Sequence, residues 1–368
     1  MQLPSKAATL AGFAVLGAFW GAWASVLPSV QEATHSSKGA LGVALLFASV
    51  GSVPTMLLLA APAVDRFGAR ATALGAAAFA AAATLPGLAT SLPALILALV
   101  AAGAASGLLD VSINASAGRI EAATGRRLQP LAHGLYSVGV LAGAVGAGLA
   151  RSHGVSREPI LLAVAICTAL LALLASGDRA RVHLERTPGI RIARGLIVVG
   201  ALAAAAFVVE GGSESWSALF LERQLHAHPS ISGLGPGIFG GSMAIGRFFG
   251  QAAHRVSARL LVAGGCTLAT AGCIVVAAAP SPAIGIAGFA IAGAGVSLNA
   301  PILFGFAARR ADAATSVATV TTIGYLGLLI GPPLVGLVAQ ASSLRVSFLV
   351  LAAVAAAVAA AATRMHLD

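Results

Sequence analysis

Three carboxylates stand inside long apolar runs of this chain: Asp110, and the pair Glu210 and Glu214. An ionised acid at the centre of a bilayer costs roughly 2.5–3.5 kcal/mol on insertion scales, so such groups read first as functional. A carboxylate whose surroundings alternately wet and close takes up and releases a proton, which is the chemistry of proton coupling. Asp110 is the leading candidate. Asn114 follows one turn later on the same helical face, where its amide can orient the acid. The competing role for Asp110 is a hydrogen-bond anchor to a neighbouring helix. Glu210 and Glu214 are also four apart, so they share a face and one proton can be held between them. His133 is placed to relay protons to Asp110, because imidazole titrates near neutrality; the alternative is an interfacial histidine facing the cytosol.

Further polar and aromatic groups are candidates for solute contact. Asn299 offers a donor and an acceptor without charge, which suits a hydroxylated solute. Trp20, near the middle of the first apolar run, could stack on a sugar or an aromatic ring, or fill space beside small residues. With Asn114 and Glu214 these make up the expected substrate contacts. Arg247, near the end of the eighth run, either snorkels to the aqueous side or ties helices together at a closed gate. Cys167, Cys266 and Cys273 lie singly, with no metal or disulfide spacing. No nucleophile paired with a base appears at depth, and no Gly-x-x-x-x-Gly-Lys run is present. An enzyme, a metal centre and an ATP-driven pump are therefore not expected.

The elements that position these residues are set by hydropathy. The chain is 58% apolar with 9% charged residues, and it breaks into about twelve stretches of roughly 20 residues, each able to cross a core ~30 Å thick as a helix. The expected spans are 8–30, 41–62, 71–90, 92–116, 131–150, 159–176, 195–220, 231–251, 260–280, 284–306, 315–339 and 345–363. The first is read as a transmembrane helix, not as a cleaved signal despite Ala22-Trp23-Ala24, because its apolar run is too long for a signal core. With a cytoplasmic N-terminus, 17 of the 22 Lys and Arg residues fall on the inner side. Lys38, Arg151, Arg157, Arg223 and Arg345 make up the outer minority. That bias places both termini inside. The net charge of +10 thus reflects topology and anionic lipid, and no nucleic-acid partner is expected.

Sliding the sequence against itself by 189 residues lays Arg66 on Arg255, Arg70 on Arg259, Gly75 on Gly264 and Asp110 on Asn299. A period near half the length means two parallel six-helix halves, 1–176 and 195–368, joined by a cytoplasmic linker at 177–194. Aligning Trp23 with Trp216 puts Gly17 and Gly21 of the first helix opposite Glu210 and Glu214 of the seventh. On that alignment the two halves differ in the cavity itself. Helices three, six, nine and twelve carry almost no polar groups and are expected to face lipid. Gly139-x-x-x-Gly143 and Gly233-x-x-x-Gly237 allow close backbone approach. Pro236, Pro301, Pro332 and Pro333 are expected to interrupt helices eight, ten and eleven.

Twelve helices in two halves, with Asp65-Arg66-Phe67-Gly68-Ala69-Arg70 between helices two and three, resemble the major facilitator superfamily, whose signature there is roughly Gly-x-x-x-Asp-Arg-x-Gly-x-Arg; Ala61 departs from its first position. The resemblance implies that helices one, four, seven and ten line the solute path, and that Asp65, Arg66 and Arg70, with Arg247 and Arg255, gate the inner side. His254 replaces the Asp in the second copy, so an asymmetric gate is expected. A narrower pattern, Gly107-x-x-Asp110-x-x-x-Asn114, Glu121, and His133-x-x-x-Ser137-x-Gly139-x-x-x-Gly143, resembles a bacterial branch close to the fucose, galactose and glucose proton symporters. Those also carry an acid in helix one, where this chain has none before Glu32. The expectation is a monomeric transporter in the bacterial inner (plasma) membrane that moves a small-molecule substrate, a sugar or related metabolite, on the proton gradient without a cofactor. Two alternatives stand beside it. Proton-antiport efflux of amphipathic cations suits three acids, although the glycine-proline signature of such antiporters is missing from helix five. A non-transporting sensor or scaffold would require an appended soluble domain, and none is seen in this sequence.

Overall fold

A computed structural model of the chain describes residues 3–126, 128–182, 194–252, 256–310 and 312–365. Among these residues all regular secondary structure is helical. Hydrocarbon imposes this, because each backbone N–H and C=O must be satisfied within its own segment. The long helices are α1 (Lys6–Ala33), α2 (Lys38–Phe67), α3 (Arg70–Leu88), α4 (Leu92–Thr124), α5 (Gln129–Ser152) and α6 (Arg157–Ser176). They continue with α7 (Ile197–Gln224), α8 (Leu234–Ala252), α9 (Ala258–Ala278), α10 (Pro282–Ala308), α11 (Ala313–Ala341) and α12 (Leu344–Ala362). Eleven of them are long and apolar enough to cross a membrane, and α8 stands at the remaining expected span.

Short polar residues start several of these helices. Ser5, Ser37, Ser257, Asp312 and Ser343 each accept a hydrogen bond from a backbone N–H three residues on, at 3.2–3.3 Å. This satisfies one of the orphan donors of the first turn.

The chain divides into two compact units, Met1–Glu185 with His228–Gly237, and Arg186–Ala227 with Ile238–Asp368. The boundary differs from the one expected from the repeat, because 228–237 groups with the first unit. Gly233 is the reason: a Cβ there would meet Ala144 O at 2.6 Å and Ser25 Oγ at 3.0 Å.

In the first unit α1 packs along α5 and α2 along α4. Gly17 and Gly21 face the Tyr136 and Val140 carbonyls of α5, while Gly139 and Gly143 face the Ala14 and Ala18 carbonyls of α1; none leaves room for a Cβ. Such reciprocal glycines bring backbones close enough for Cα–H to carbonyl contact. Gly17 and Gly21 are therefore packing positions, which corrects the reading that set them in a cavity. Gly51 and Gly103 do the same between α2 and α4. On α6, Leu162, Ile166, Leu170 and Leu173 form an exposed stripe, the face that lipid covers.

In the second unit α7 packs along α11, with Gly327 against the Ala204 carbonyl and Gly331 against the Val208 carbonyl. These contacts reset the register between the halves. Ala14 and Ala18 of α1 play the part of Ala204 and Val208, an offset of 190 and not the 193 of the Trp23–Trp216 alignment. At the packing register Trp20, not Gly17, corresponds to Glu210. Trp216 is fully buried and donates Nε1–H to Pro332 O at 3.0 Å. Phe220, Phe289 and Phe348 form an edge-to-face trio with centroids 5.0–6.1 Å apart.

The prolines act less uniformly than expected. α11 runs unbroken through Pro332 and Pro333. Pro236 follows a break in the eighth span, where the turn Pro229–Ser232 ends at Gly233 and α8 resumes at Leu234, because Pro236 has no N–H to offer the Ser232 carbonyl four residues before it. Pro301 does break α10, into Pro282–Val296 and Asn299–Ala308.

Candidate functional site

On α4, Asn114 Nδ2 donates to Asp110 Oδ1 at 3.1 Å and to Asp110 O at 2.9 Å. Both side chains are half-buried. The helical spacing alone brings them together, as a residue and its i+4 neighbour stack on one face. No cation among the described residues lies within ion-pair distance of Asp110. Gly107, one turn earlier, sets α4 against α2, where a Cβ would meet Ser52 O at 2.9 Å. Glu121 serves the end of the same helix: its carboxylate accepts from the N–H groups of Leu128 and Gln129, the latter at 2.8 Å, and so caps the start of α5. His133 is exposed and sits edge-on to Phe13, with ring centroids 5.1 Å apart. Trp20 is half-buried and packs edge-on to Phe19 at 5.1 Å, while Phe19 is itself buried on Phe79.

The second unit contains a charge cluster that sequence reasoning assembled only in part. Arg247 Nη2 of α8 lies 3.8 Å from Glu210 Oε1 of α7. The same guanidinium donates Nε–H to Ser297 O of α10 at 3.2 Å. Glu214, one turn further along α7, is within electrostatic reach of both Glu210 and Arg247. Of the two roles expected for Arg247, snorkelling and tying helices together, these contacts fit the second, since the side chain is turned to a carboxylate of α7 and a freed carbonyl of α10. The cause is chemical. Ser297 O would normally accept from the N–H four residues on, but that residue is Pro301, which has none. A signal for this contact was present in the sequence: an arginine inside an apolar run, an acid on the preceding helix, and a carbonyl left without its donor.

Asn299 lies apart from this cluster. It is 1% exposed, beside Gly265 and the Cys266 thiol of α9. It faces the interior of its own unit.

At the end of α2, Gly68 takes φ +59° and its N–H bonds Val64 O at 2.8 Å. The next residue, Ala69, donates N–H to Ala180 O at 2.8 Å. Val64, Ala69, Ala71, Ala180 and Val182 form a small apolar cluster with Val111 and Ala115 of α4. Asp178 Oδ2 accepts from Ser5 N at 2.6 Å. The start of the expected linker is thus strapped across the loop that carries Asp65, Arg66 and Arg70. Arg66 and Arg70 are exposed, and Arg66 stands 5.5 Å over the Phe67 ring. Arg255 and His254 lie outside the described residues.

Bases of the charge minority donate to backbone carbonyls. Arg151 donates to Ser25 O at 2.9 Å, Arg345 to Ala277 O and Ala279 O at 2.6 and 2.8 Å, and Arg157 to Ala89 O at 3.5 Å. Arg345 and Arg157 thus satisfy carbonyls at helix ends and Arg151 one within α1, a role hydropathy does not register.

A profile of the Major Facilitator Superfamily matches residues 8–325. An uncharacterized MFS-type transporter of Yersinia pestis is 32% identical over 368 residues, covering 98% of this chain and 95% of that protein. Among solved structures, a single-substitution variant of the nucleoside transporter NupG is similar with a TM-score of 0.79 at 14% identity, covering 98% of this chain and 99% of the other. A variant of the E. coli fucose:proton symporter FucP is similar with a TM-score of 0.62 at 18% identity, covering 98% and 97%.

Proposed function

The chain belongs to the Major Facilitator Superfamily and is a multi-pass membrane protein, and from that premise we propose that it carries a small polar solute by alternating access, coupled to the proton gradient across the bacterial inner membrane. The observation that carries the coupling is the contrast between its intramembrane acids. Glu210 has a guanidinium beside it. Among the described residues Asp110 has the neutral amide of Asn114 and no counter-ion, so nothing in its surroundings fixes it in the charged form. Asp110 is assigned the coupled proton, and Asn114 orients it. The proton coupling in FucP's own description supports the same chemistry.

The charge balance also limits the cargo. Arg247 is engaged by Glu210 and Ser297 O. With its guanidinium so occupied, this cluster offers no counter-charge to an anionic solute, so the proposed cargo is uncharged or cationic. In this reading the half-buried Trp20 stacks on it, and Asp65, Arg66 and Arg70 gate the inner side.

The test begins with a thermal-shift screen of the purified protein against sugars, polyols, nucleosides and amines, because a specific ligand stabilises the state it binds. A hit is then followed in proteoliposomes under an imposed pH gradient. Wild type should accumulate it, and Asp110→Asn should equilibrate it without accumulation. Proton-driven accumulation by Asp110→Asn beside an uncoupled Glu210→Gln would move the coupling role to α7.

A further inference from the structure

We propose that Arg247 is a positioning residue that divides labour between the two carboxylates of α7: it holds Glu210 as its charged partner and leaves Glu214 as the carboxyl that exchanges a proton. This rests on the transport reading above and adds a second titrating group to it.

The placement of the guanidinium follows from covalent structure. Pro301 lacks the N–H that would close the helix onto Ser297 O, and α10 turns out of regular helix at 297–298. A buried carbonyl without a donor is costly. Arg247 Nε supplies the donor at 3.2 Å, which anchors the fork. From that anchor Nη2 reaches 3.8 Å from Glu210 Oε1. Two helices thus hold one side chain in place, α10 through a backbone oxygen and α7 through a carboxylate.

The charge state follows from the chemistry of the groups. A guanidinium does not lose its proton in a protein, so inside the membrane its charge demands a carboxylate opposite. Glu214 shares the face of Glu210 one turn away and within electrostatic reach of the same guanidinium. One fixed positive charge neutralises one carboxylate, so the cluster of three is neutral when it holds a single proton. Glu210 is the partner in contact, which leaves that proton to Glu214. Among the described residues, Tyr325 of α11 brings a titratable group to this stretch of α7, its ring 6.1 Å from Phe207, one turn before Glu210; α10 contributes the Ser297 carbonyl and the Phe304 ring. At the packing register the first unit has Trp20 in place of Glu210, so the arrangement is confined to one half.

Infrared spectroscopy of the purified protein at neutral pH reads protonated carboxyl groups directly and needs no substrate. Arg247→Gln should gain one protonated-carboxyl signal relative to wild type, because Glu210 loses its counter-ion, and Arg247→Gln with Glu210→Gln should lose that gain. Arg247→Lys keeps the charge and should match wild type in this signal. Absence of the gain, or its persistence in the double variant, overturns the assignment. Glu214→Gln leaves Arg247 in place, so it serves if the arginine variants fail to fold: it should lose one protonated signal, and retention of that signal equally overturns the assignment. Asp110→Asn should lose a separate signal; its persistence would remove the proton from Asp110 while leaving the Arg247 assignment standing.

Discussion

The five glycines of α5 are alike in sequence and unlike in the fold, which makes them a sharp test of how the first unit holds together. At Gly143 a methyl would overlap the Ala18 carbonyl, with Ala18 Cα 2.9 Å away; at Gly139 it would overlap the Ala14 carbonyl, with Ala18 N 3.0 Å away. These are backbone atoms of a buried helix, so they cannot rotate aside. The α1–α5 pair would have to part by roughly 1 Å, which forfeits much of the dispersion well along the crossing. It would also release the reciprocal contacts at Gly17 and Gly21. Overpacking of this kind costs about 1–3 kcal/mol, and each lost Cα–H to carbonyl contact adds about 0.5–1 kcal/mol. Gly139→Ala and Gly143→Ala should each destabilise the protein by about 2–4 kcal/mol. Gly134 and Gly146 on the same helix have no described atom within 4 Å of an added Cβ, so alanine there should be neutral or stabilising by a few tenths of a kcal/mol through helix propensity. Thermal denaturation in detergent, followed by circular dichroism, ranks the four variants. Equal melting temperatures across the set, or a loss at Gly134 and Gly146 matching that at Gly139 and Gly143, would refute the close-packed crossing.

Gly68→Ala should open the strap over the α2–α3 loop. At φ +59° and ψ −138° a side chain is strained by about 1–3 kcal/mol, and its Cβ would overlap the Ala180 carbonyl. Tryptic cleavage at Arg179 and Arg181 should accelerate by on the order of tenfold, and an unchanged rate would show that the strap does not depend on this glycine. For topology, single cysteines at Lys38 and His153, in a background lacking Cys167, should react with an impermeant reagent on intact cells, whereas those at Arg126 and Arg186 should be protected; the reverse pattern would invert the orientation and the gate with it.

The sequence by itself determined the class of the molecule. Twelve apolar runs leave the backbone no solution in lipid other than helices, and the spans read from them agree with the helices to within about five residues, except that α4 runs past the expected end at 116 to Thr124. Serines before the runs marked helix starts through local hydrogen bonds, and the i, i+4 spacing brought Asn114 onto Asp110. These features depend on interactions within about one turn, which a linear pattern encodes completely. The duplication was also legible, because repeated residues survive as a fixed offset.

Tertiary structure decided what depends on the depth and rotation of one helix against another. The register between the halves differs by three residues from the alignment on tryptophans, since packing follows the glycine-to-carbonyl contacts of α1 with α5 and α7 with α11. At that register Gly17 and Gly21 are positions of a helix crossing and Trp20 is the repeat counterpart of Glu210. Arg247 needed three helices before its partner was visible: the acid is on α7, the guanidinium on α8, and the carbonyl that Pro301 strips of its donor on α10. Asn299, matched to Asp110 by repeat offset, turned inward to α9, because a break one residue earlier rotates that end of α10. Local chemistry is written in the order of the residues. The pairing of charges across helices is fixed only when the backbones come together, since a shift of one residue turns a side chain by about 100° around its axis.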